Sequence, residues 1–345
     1  MGAQAAAEIR AGGRFGRLPP GADLPRAGAL RITPLPPNFR LSSVTLSHAA
    51  SGLGPSCFDV DHDAWHRVLT LPHAGALTIT VHEPAPEPAP EPESLAVTWG
   101  RTPGEEADAA AIRRQVRHAL ALDEDLSGLY AAIAGETGLA WIAEGGHGRL
   151  LRSPTVWEDL VRALAATNAS LARTRTMLAE LTDRFGARGP AGERAFPEPA
   201  AVARAVADEG PEILRDQAGW GYRAGPLALL AQRVDAGTLD VESWRPNAPP
   251  ASPASLASPR LSDDEIAAAI RALPGFGPVS ADLMLGLLGR PRGLALDTWA
   301  RARVGEVADL SGPADDRTIR ARYARFGPWA GTVCWLEITR GWTEW

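Results

Sequence analysis

The chain contains no lysine, because all 35 of its basic residues are arginine. A Schiff base between a side chain and a sugar aldehyde needs a lysine amine, so that chemistry is excluded for the side chains. Cysteine is almost as scarce, since only Cys57 and Cys334 occur. Two cysteines are too few for a four-cysteine iron–sulfur cluster or zinc site. A structural disulfide is not expected in a reducing compartment.

Long apolar runs are also absent. No stretch approaches the roughly 20 apolar residues that a membrane span needs, so no membrane partner is expected. Residues 1–30 are rich in Ala, Gly, Arg and Pro but lack the apolar core of a signal peptide. They predict a disordered leader on a cytoplasmic protein. With 45% hydrophobic and 22% charged residues, the composition is typical of a globular protein.

The net charge of −6 is unevenly distributed. Residues 83–125 hold ten acidic residues and four arginines, which accounts for the whole excess, and the rest of the chain is balanced. Net charge therefore neither excludes nor supports a nucleic-acid partner. Any electrostatic footprint for such a partner has to be local.

The order of strand-like and helix-like segments predicts an α+β fold. Residues 77–81 and 95–99 are short β-prone runs, and they place a β-rich N-terminal domain over residues 31–125. Within it, the Pro/Ala/Glu repeat at residues 83–94 is expected to form an exposed loop. Residues 126–345 show helical periodicity and are expected to form an all-helical core.

Local signals divide this helical part. Residues 155–158 and 262–265 are capping-box patterns, each of which predicts the start of a helix. Five prolines within residues 245–260 break any helical period and predict a linker. A helical hairpin follows over residues 266–289.

The turn of this hairpin consists of Leu273, Pro274, Gly275, Phe276 and Gly277. The proline after it suits the first position of a new helix. Backbone N–H groups at that helix start lack partners, and together with the helix dipole they suit a phosphate oxygen. Glycine allows positive φ and a close approach of another backbone. A Gly-x-Gly sequence between helices is equally compatible with a plain structural turn.

Twenty residues after Gly277 comes Leu296-Asp297-Thr298, followed by Trp299 and Arg301. Asp297 stands where a helix N-cap is expected, and an N-cap aspartate needs no catalytic role. The sequence by itself therefore leaves both interpretations of Asp297 open.

The hairpin, loop and Leu-Asp-Thr together resemble the helix–hairpin–helix DNA glycosylase superfamily, which includes 3-methyladenine (alkyladenine) and 8-oxoguanine DNA glycosylases. The resemblance covers about residues 35–345, because further segments match in the same order: 120–130, 152–173, 221–224 and 326–331. It implies an antiparallel β layer followed by an all-helical core of two subdomains, with DNA bound across their cleft. It also implies damaged double-stranded DNA as the partner of a monomeric, nucleoid-associated protein.

The resemblance assigns a chemistry to Asp297. A base inside a duplex has to be flipped into a pocket before it can be removed. Its departure leaves oxocarbenium character on the sugar, which a carboxylate can stabilise while it orients a water molecule. Strand-cleaving members of the superfamily carry a lysine where this chain has Val279. Base removal without strand cleavage is therefore expected.

The resemblance further assigns residues to two surfaces. Besides the hairpin turn, the residues implied to contact DNA are Val279, Ser280, Asn168, Arg173, Tyr222, Arg223, Trp299 and Arg301. For Asn168 and Arg173 a plain helix-surface role is an open alternative. The residues implied to line the base pocket are Val279, Leu283, Trp329, Cys334, Trp335 and Ile338.

The damaged base is less well defined by the sequence. The pocket positions match neither the alkyladenine nor the 8-oxoguanine branch, although tryptophans suit an electron-poor alkylated purine. The alternatives are an oxidised-purine glycosylase and a non-catalytic protein that binds DNA lesions. No cofactor or metal site is expected, apart from a monovalent cation at the hairpin carbonyls.

Overall fold

The computed structural model describes residues 14–15, 17–23, 26–48, 52–83, 94–100, 106–246 and 261–342. The predicted exposed loop and the predicted proline-rich linker lie almost entirely outside these residues, as does the first part of the predicted leader.

Six strands form one antiparallel sheet in the order β1-β3-β4-β5-β6-β2. The strands are β1 (Arg14–Phe15), β2 (Gly28–Ile32), β3 (Ser56–Asp59), β4 (Ala64–Leu71), β5 (Gly75–His82) and β6 (Leu95–Trp99). Residues 77–81 and 95–99 both lie in strands, as predicted. The α+β class and the antiparallel N-terminal layer are therefore confirmed.

The prediction of a disordered leader over residues 1–30 is wrong for two of its segments. Strand β1 pairs with β3, and β2 begins at Gly28 opposite Trp99 of β6. A Cβ at Gly28 would lie 2.2 Å from the Trp99 indole nitrogen, so only glycine fits beneath that ring. Such short strands are stabilised by pairing with distant strands, which local sequence patterns do not reveal.

The described residues contain thirteen α-helices, none of which is long and apolar enough to cross a membrane. They are α1 (Leu41–Thr45), α2 (Glu106–Ala119), α3 (Ser127–Ile133), α4 (Ala140–Glu144), α5 (Val156–Ala166), α6 (Leu171–Phe185), α7 (Pro199–Glu209), α8 (Ala224–Asp235), α9 (Asp263–Arg271), α10 (Pro278–Leu287), α11 (Thr298–Val307), α12 (Asp316–Tyr323) and α13 (Ala330–Thr339).

Both predicted capping boxes mark real helix starts, but they differ in structure. At α9 the Ser262 hydroxyl accepts from the Glu265 amide while the Glu265 carboxylate accepts from the Ser262 amide. At α5 the Thr155 hydroxyl accepts from the Glu158 amide at 3.2 Å, but the Glu158 carboxylate turns away. It binds arginines of the core instead.

Those arginines tie the β layer to the helices. The Glu158 carboxylate accepts from Arg67 of β4 at 2.5 Å and from Arg162 of α5 at 2.6 Å, and all three side chains are buried. Burial alone would raise the pKa of Glu158, but the two guanidinium groups hold it below its ordinary value. Arg162 also donates to the Leu53 and Gly54 carbonyls. A charged cluster therefore lies at the junction of the two layers.

Apolar side chains form two main clusters. The larger cluster joins the sheet to α1, α2 and helices α5 to α10, and the smaller one joins α3 and α4 to helices α11 to α13. Trp299 and Trp335 pack against both clusters. These two tryptophans therefore lie where the larger and the smaller apolar cluster meet.

Candidate active site and nucleic-acid interface

The hairpin turn between α9 and α10 depends on Gly275. The Phe276 amide donates to the Leu273 carbonyl at 3.2 Å, and Gly275 adopts φ +88°. A Cβ at Gly275 would lie 2.6 Å from a methyl carbon of Leu164 in α5. The side chains of Leu273 and Phe276 are buried, so their predicted contact with DNA can involve only the backbone.

Gly277 differs from Gly275, because nothing in the described protein requires it to be glycine. It is the N-cap of α10 with φ −114°, an ordinary extended value, and a Cβ there would meet no atom within 4 Å. Pro278 follows as the first helical residue, so the amides of Val279 and Ser280 have no partner within the helix. Open space therefore adjoins the positive end of a helix, which is the geometry of an anion site.

Replacing Gly277 by alanine is expected to weaken duplex binding by roughly 10- to 100-fold, because charge-assisted hydrogen bonds contribute about 1.5–3 kcal/mol. The new methyl group fits the free protein and obstructs only a phosphate that approaches the Val279 and Ser280 amides. Thermal unfolding and filter binding at low salt measure the two effects. Gly275→Ala is the contrasting variant, since it should destabilise the fold by about 1–3 kcal/mol. Unchanged affinity of Gly277→Ala would show that the turn is only structural.

A ridge beside the hairpin consists of Thr167, Asn168 and Tyr222. Asn168 is exposed with φ +45°, and Tyr222 is 66% exposed, the highest value among the large hydrophobic side chains of the described residues. The position of a Cβ at Gly275 lies 3.6 Å from Pro226, which is in the helix that follows Tyr222. The fold therefore brings predicted DNA-contacting residues from three distant segments to one surface.

Arg223 does not fit its predicted role as a DNA contact. It is only 7% exposed, and its guanidinium donates to the carbonyl and the hydroxyl of Thr167 while it stacks 4.3 Å from the Tyr222 ring centre. These contacts hold the ridge in shape. Arg173 is exposed and donates to the Gly219 carbonyl. Its contact with DNA stays a prediction.

A cavity of about 120 Å³ lies behind the hairpin helix. Leu283 and Leu287 of α10 form one wall, and Trp335 of α13 forms another. Val279 precedes Leu283 by four residues, so it lies on the same face of α10, where its side chain is 37% exposed. One face of α10 therefore leads from the hairpin turn to the cavity.

Three predicted pocket residues lie elsewhere. Cys334 and Ile338 are buried in the smaller apolar cluster, where burial raises the pKa of the Cys334 thiol to about 12. Trp329 lines a separate cleft of about 880 Å³ near Gly286 and Gly289, at the other end of α10. These three residues do not line the cavity beside Trp335, because α13 packs on several sides and its sequence register does not show which side faces that cavity.

Polar residues that the sequence did not reveal also line the cavity, and they include His48, Asp159 and the arginines Arg67, Arg152 and Arg162. Burial raises the pKa of Asp159 to about 6, although its carboxylate accepts from the Ser153 amide at 2.9 Å. Two adjacent acidic residues, Glu158 and Asp159, in the otherwise apolar helix α5 were a sequence signal for buried charged side chains. No comparable signal marks His48.

Asp297 is the N-cap of α11, where its carboxylate accepts from the Ala300 amide at 2.7 Å, and it is half-buried. Trp299 of the same helix lies 6.0 Å from Trp335, measured between ring centres. The carboxylate therefore lies at the start of a helix that packs on the cavity wall. Arg301 binds Asp316 at 2.8 Å, so its predicted DNA contact competes with an ion pair.

Metal-binding side chains are not clustered in the described residues. No group of three His, Cys, Asp or Glu side chains occurs there that could hold a metal ion. The monovalent cation at the hairpin carbonyls remains a prediction.

Comparisons with known proteins rest on structure, because no protein-family model and no curated protein matches this sequence. A 3-methyladenine DNA glycosylase from Archaeoglobus fulgidus matches with a TM-score of 0.65 and 17% identity, over 91% of this chain and 97% of that one. The apo form of a Clostridium acetobutylicum 8-oxoguanine glycosylase/lyase matches with a TM-score of 0.63 and 15% identity, over 93% and 99%. Its complex with double-stranded DNA matches with a TM-score of 0.61 and 15% identity, over 87% and 91%.

This chain has the fold of DNA glycosylases. At such low identity the shared feature is the architecture, a β layer followed by a helical core. A shared fold does not imply a shared function, so the function is inferred from the geometry of the hairpin, the ridge and the cavity.

Proposed function

We propose that the protein is a base-excision DNA glycosylase of the helix–hairpin–helix superfamily. It flips a damaged base out of double-stranded DNA and hydrolyses the N-glycosidic bond. The observation that carries this proposal is the geometry of α10. Its N-terminus presents free amides in open space, and one of its faces continues into the cavity lined by Leu283 and Trp335. A DNA strand could therefore bind with a phosphate at the N-terminus of α10 and with a flipped base in the cavity farther along the same helix.

Asp297 supplies the chemistry in this proposal. Its negative charge stabilises the oxocarbenium character that develops on the sugar as the base departs, and it orients the attacking water. The exposed ring of Tyr222 stacks on bases near the gap that the flipped nucleotide leaves. Arg223 supports this ring from below and keeps Asn168 at the tip of the ridge.

We further propose that the enzyme removes the base without cutting the strand. Support comes from Val279, which occupies the hairpin-helix position where strand-cleaving relatives carry lysine, and from the absence of lysine throughout the chain. A side chain of this protein cannot form the Schiff base that strand cleavage needs. An enzyme–DNA adduct trapped by borohydride, and retained after the N-terminal amine is blocked, would contradict this part of the proposal.

An alkylated purine is the proposed substrate. Trp65 and Trp335 line the cavity together with apolar side chains of α10, and aromatic faces stack on electron-poor purines. Arg67, Arg152 and Arg162 also line the cavity, so it favours an electron-poor base over one with a full positive charge. An oxidised purine is the alternative substrate.

Duplexes that carry alkylated, oxidised or deaminated bases test the proposal directly. The expected result is release of free base from the alkylated duplex, with strand breaks appearing only after alkaline treatment. Tight binding to damaged duplex without release of any base would instead favour a non-catalytic lesion-binding protein. Absence of binding to any duplex at low salt would reject both.

A further inference from the structure

His48 contributes to the wall of the cavity that also contains Leu283 and Trp335. It follows helix α1, in a segment that no sequence pattern marked. Its Nε2 atom lies 2.6 Å from the Leu151 carbonyl oxygen. A carbonyl can only accept a hydrogen bond, so Nε2 carries the proton in this contact.

The imidazole ring is neutral. Burial lowers the pKa of His48 to about 4, although the hydrogen bond to the Leu151 carbonyl opposes this shift, and the positive charge of Arg162 adds a smaller lowering. With the single proton on Nε2, the Nδ1 atom has a free lone pair and can only accept a hydrogen bond.

The segment around His48 is held rigidly in place. The Ser47 hydroxyl accepts from the Leu151 amide at 2.9 Å, so Ser47 and His48 bind both polar groups of Leu151. The Ser47 carbonyl accepts from the Trp335 indole at 2.9 Å. His48 is therefore fixed relative to the aromatic wall of the cavity, as a recognition group has to be.

Several other polar groups of the cavity are already engaged, and the buried Nε atoms of Arg67 and Arg152, which have no partner among the described residues, can only donate. The Ser56 hydroxyl accepts from the Trp65 indole at 2.8 Å, and the Thr174 hydroxyl donates to the Ser170 carbonyl at 3.0 Å. Asp159 accepts from the Ser153 amide. Among the hydrogen bonds of the described residues, His48 takes part in one through Nε2, and none reaches its Nδ1 atom.

We propose that His48 is a specificity-determining residue whose Nδ1 atom accepts a hydrogen bond from the base held against Trp335. The group it recognises is an exocyclic amine or a ring N–H. This inference rests on the proposed glycosylase function and deepens it. A base with a methylated or missing nitrogen at that edge would leave Nδ1 without a partner and would be released slowly.

Single-turnover release of matched bases tests this role. The duplexes carry the base that the wild type removes fastest, or its analogue in which the recognised N–H is methylated or replaced by C–H. We expect His48→Ala to slow release of the first base by about 10-fold or more and to leave release of the analogue unchanged. His48→Gln should recover part of the lost rate, because its amide can donate to Leu151 while its oxygen accepts.

His118→Gln is the matched control, since His118 is a largely buried histidine in the separate cleft and its Nε2 atom has no partner. This control should keep the wild-type preference between the two bases. An equal change in release of both bases by His48→Ala would show a merely structural role and would overturn the inference.

A spectroscopic measurement separates this inference from the proposed enzyme activity. In protein labelled with ¹⁵N-histidine, we expect the His48 signals at pH 7 to show protonated Nε2 and unprotonated Nδ1, with His48→Gln identifying them. A protonated Nδ1 or a charged ring would overturn the inference even if the protein is an active glycosylase. Unprotonated Nδ1 in a protein that releases no base would reject the glycosylase proposal and, with it, the reading of a flipped base.

Discussion

Replacement of Asp297 by asparagine is expected to slow base release by roughly 10²–10³-fold, the usual effect of removing one group that stabilises charge in a transition state. Asparagine is as good an N-cap as aspartate, so the amide oxygen can still accept from the Ala300 amide and begin α11. The variant loses the negative charge while it keeps the local structure. Duplex affinity should therefore stay within a few-fold of the wild-type value.

Asp315 provides a matched control for this experiment. It is the N-cap of α12, and its carboxylate accepts from the Thr318 amide at 2.7 Å in the same way. Asp315→Asn should leave base release unchanged, because its carboxylate is an exposed cap away from the cavity. Release is measured under single-turnover conditions, and binding is measured separately on the same damaged duplex. Equal rates for Asp297→Asn and Asp315→Asn would mean that Asp297 is only a cap.

Replacement of Glu158 by glutamine is expected to lower the free energy of unfolding by about 3–5 kcal/mol, the cost of leaving buried charges without their partner. Glutamine has nearly the same shape, but it leaves Arg67 and Arg162 side by side in the core without a counter-charge. The loss acts on the junction between the sheet and helix α5. We expect the β layer and the helical core to be destabilised together.

Urea unfolding at pH 7 measures this effect, and Glu180→Gln is its control. Glu180 forms an exposed ion pair with Arg184 at 3.4 Å on α6, and its removal should cost less than about 1 kcal/mol. In the wild type, the lowered pKa of Glu158 stabilises the fold above the ordinary glutamate pKa of 4.5, and this contribution is lost as the pH falls below it. Equal unfolding midpoints for the two variants would show that the buried cluster adds no stability.

Local sequence signals predicted several features because the relevant contacts are close in the chain. The capping box at Ser262 and the N-cap at Asp297 involve residues three positions apart. The hairpin turn is likewise set locally by the positive φ of Gly275 and by a proline at the start of α10. Strand alternation was sufficient for β5, whose side chains pack between neighbouring strands of the sheet.

Local sequence patterns failed to predict contacts between residues that are far apart in the chain. Glu158 matched a capping box, yet its carboxylate binds Arg67, which is 91 residues away. Arg223 matched a family motif, but the structure uses its guanidinium to hold Thr167. Strand β2 became visible only through its pairing with β6. In each case a buried polar group or backbone needed a partner that its own segment does not contain.

The absence of lysine and the scarcity of cysteine by themselves exclude a side-chain Schiff base and a four-cysteine metal site. The sequence also determined the hairpin and the acid that begins α11, since turns and caps are set by neighbouring residues. Only the tertiary structure decided which residues form the cavity. It placed His48 and Asp159 beside Trp335 and buried Cys334 and Ile338 in the smaller apolar cluster. Membership of a cavity depends on how whole helices and strands pack, which is a property of the assembled fold.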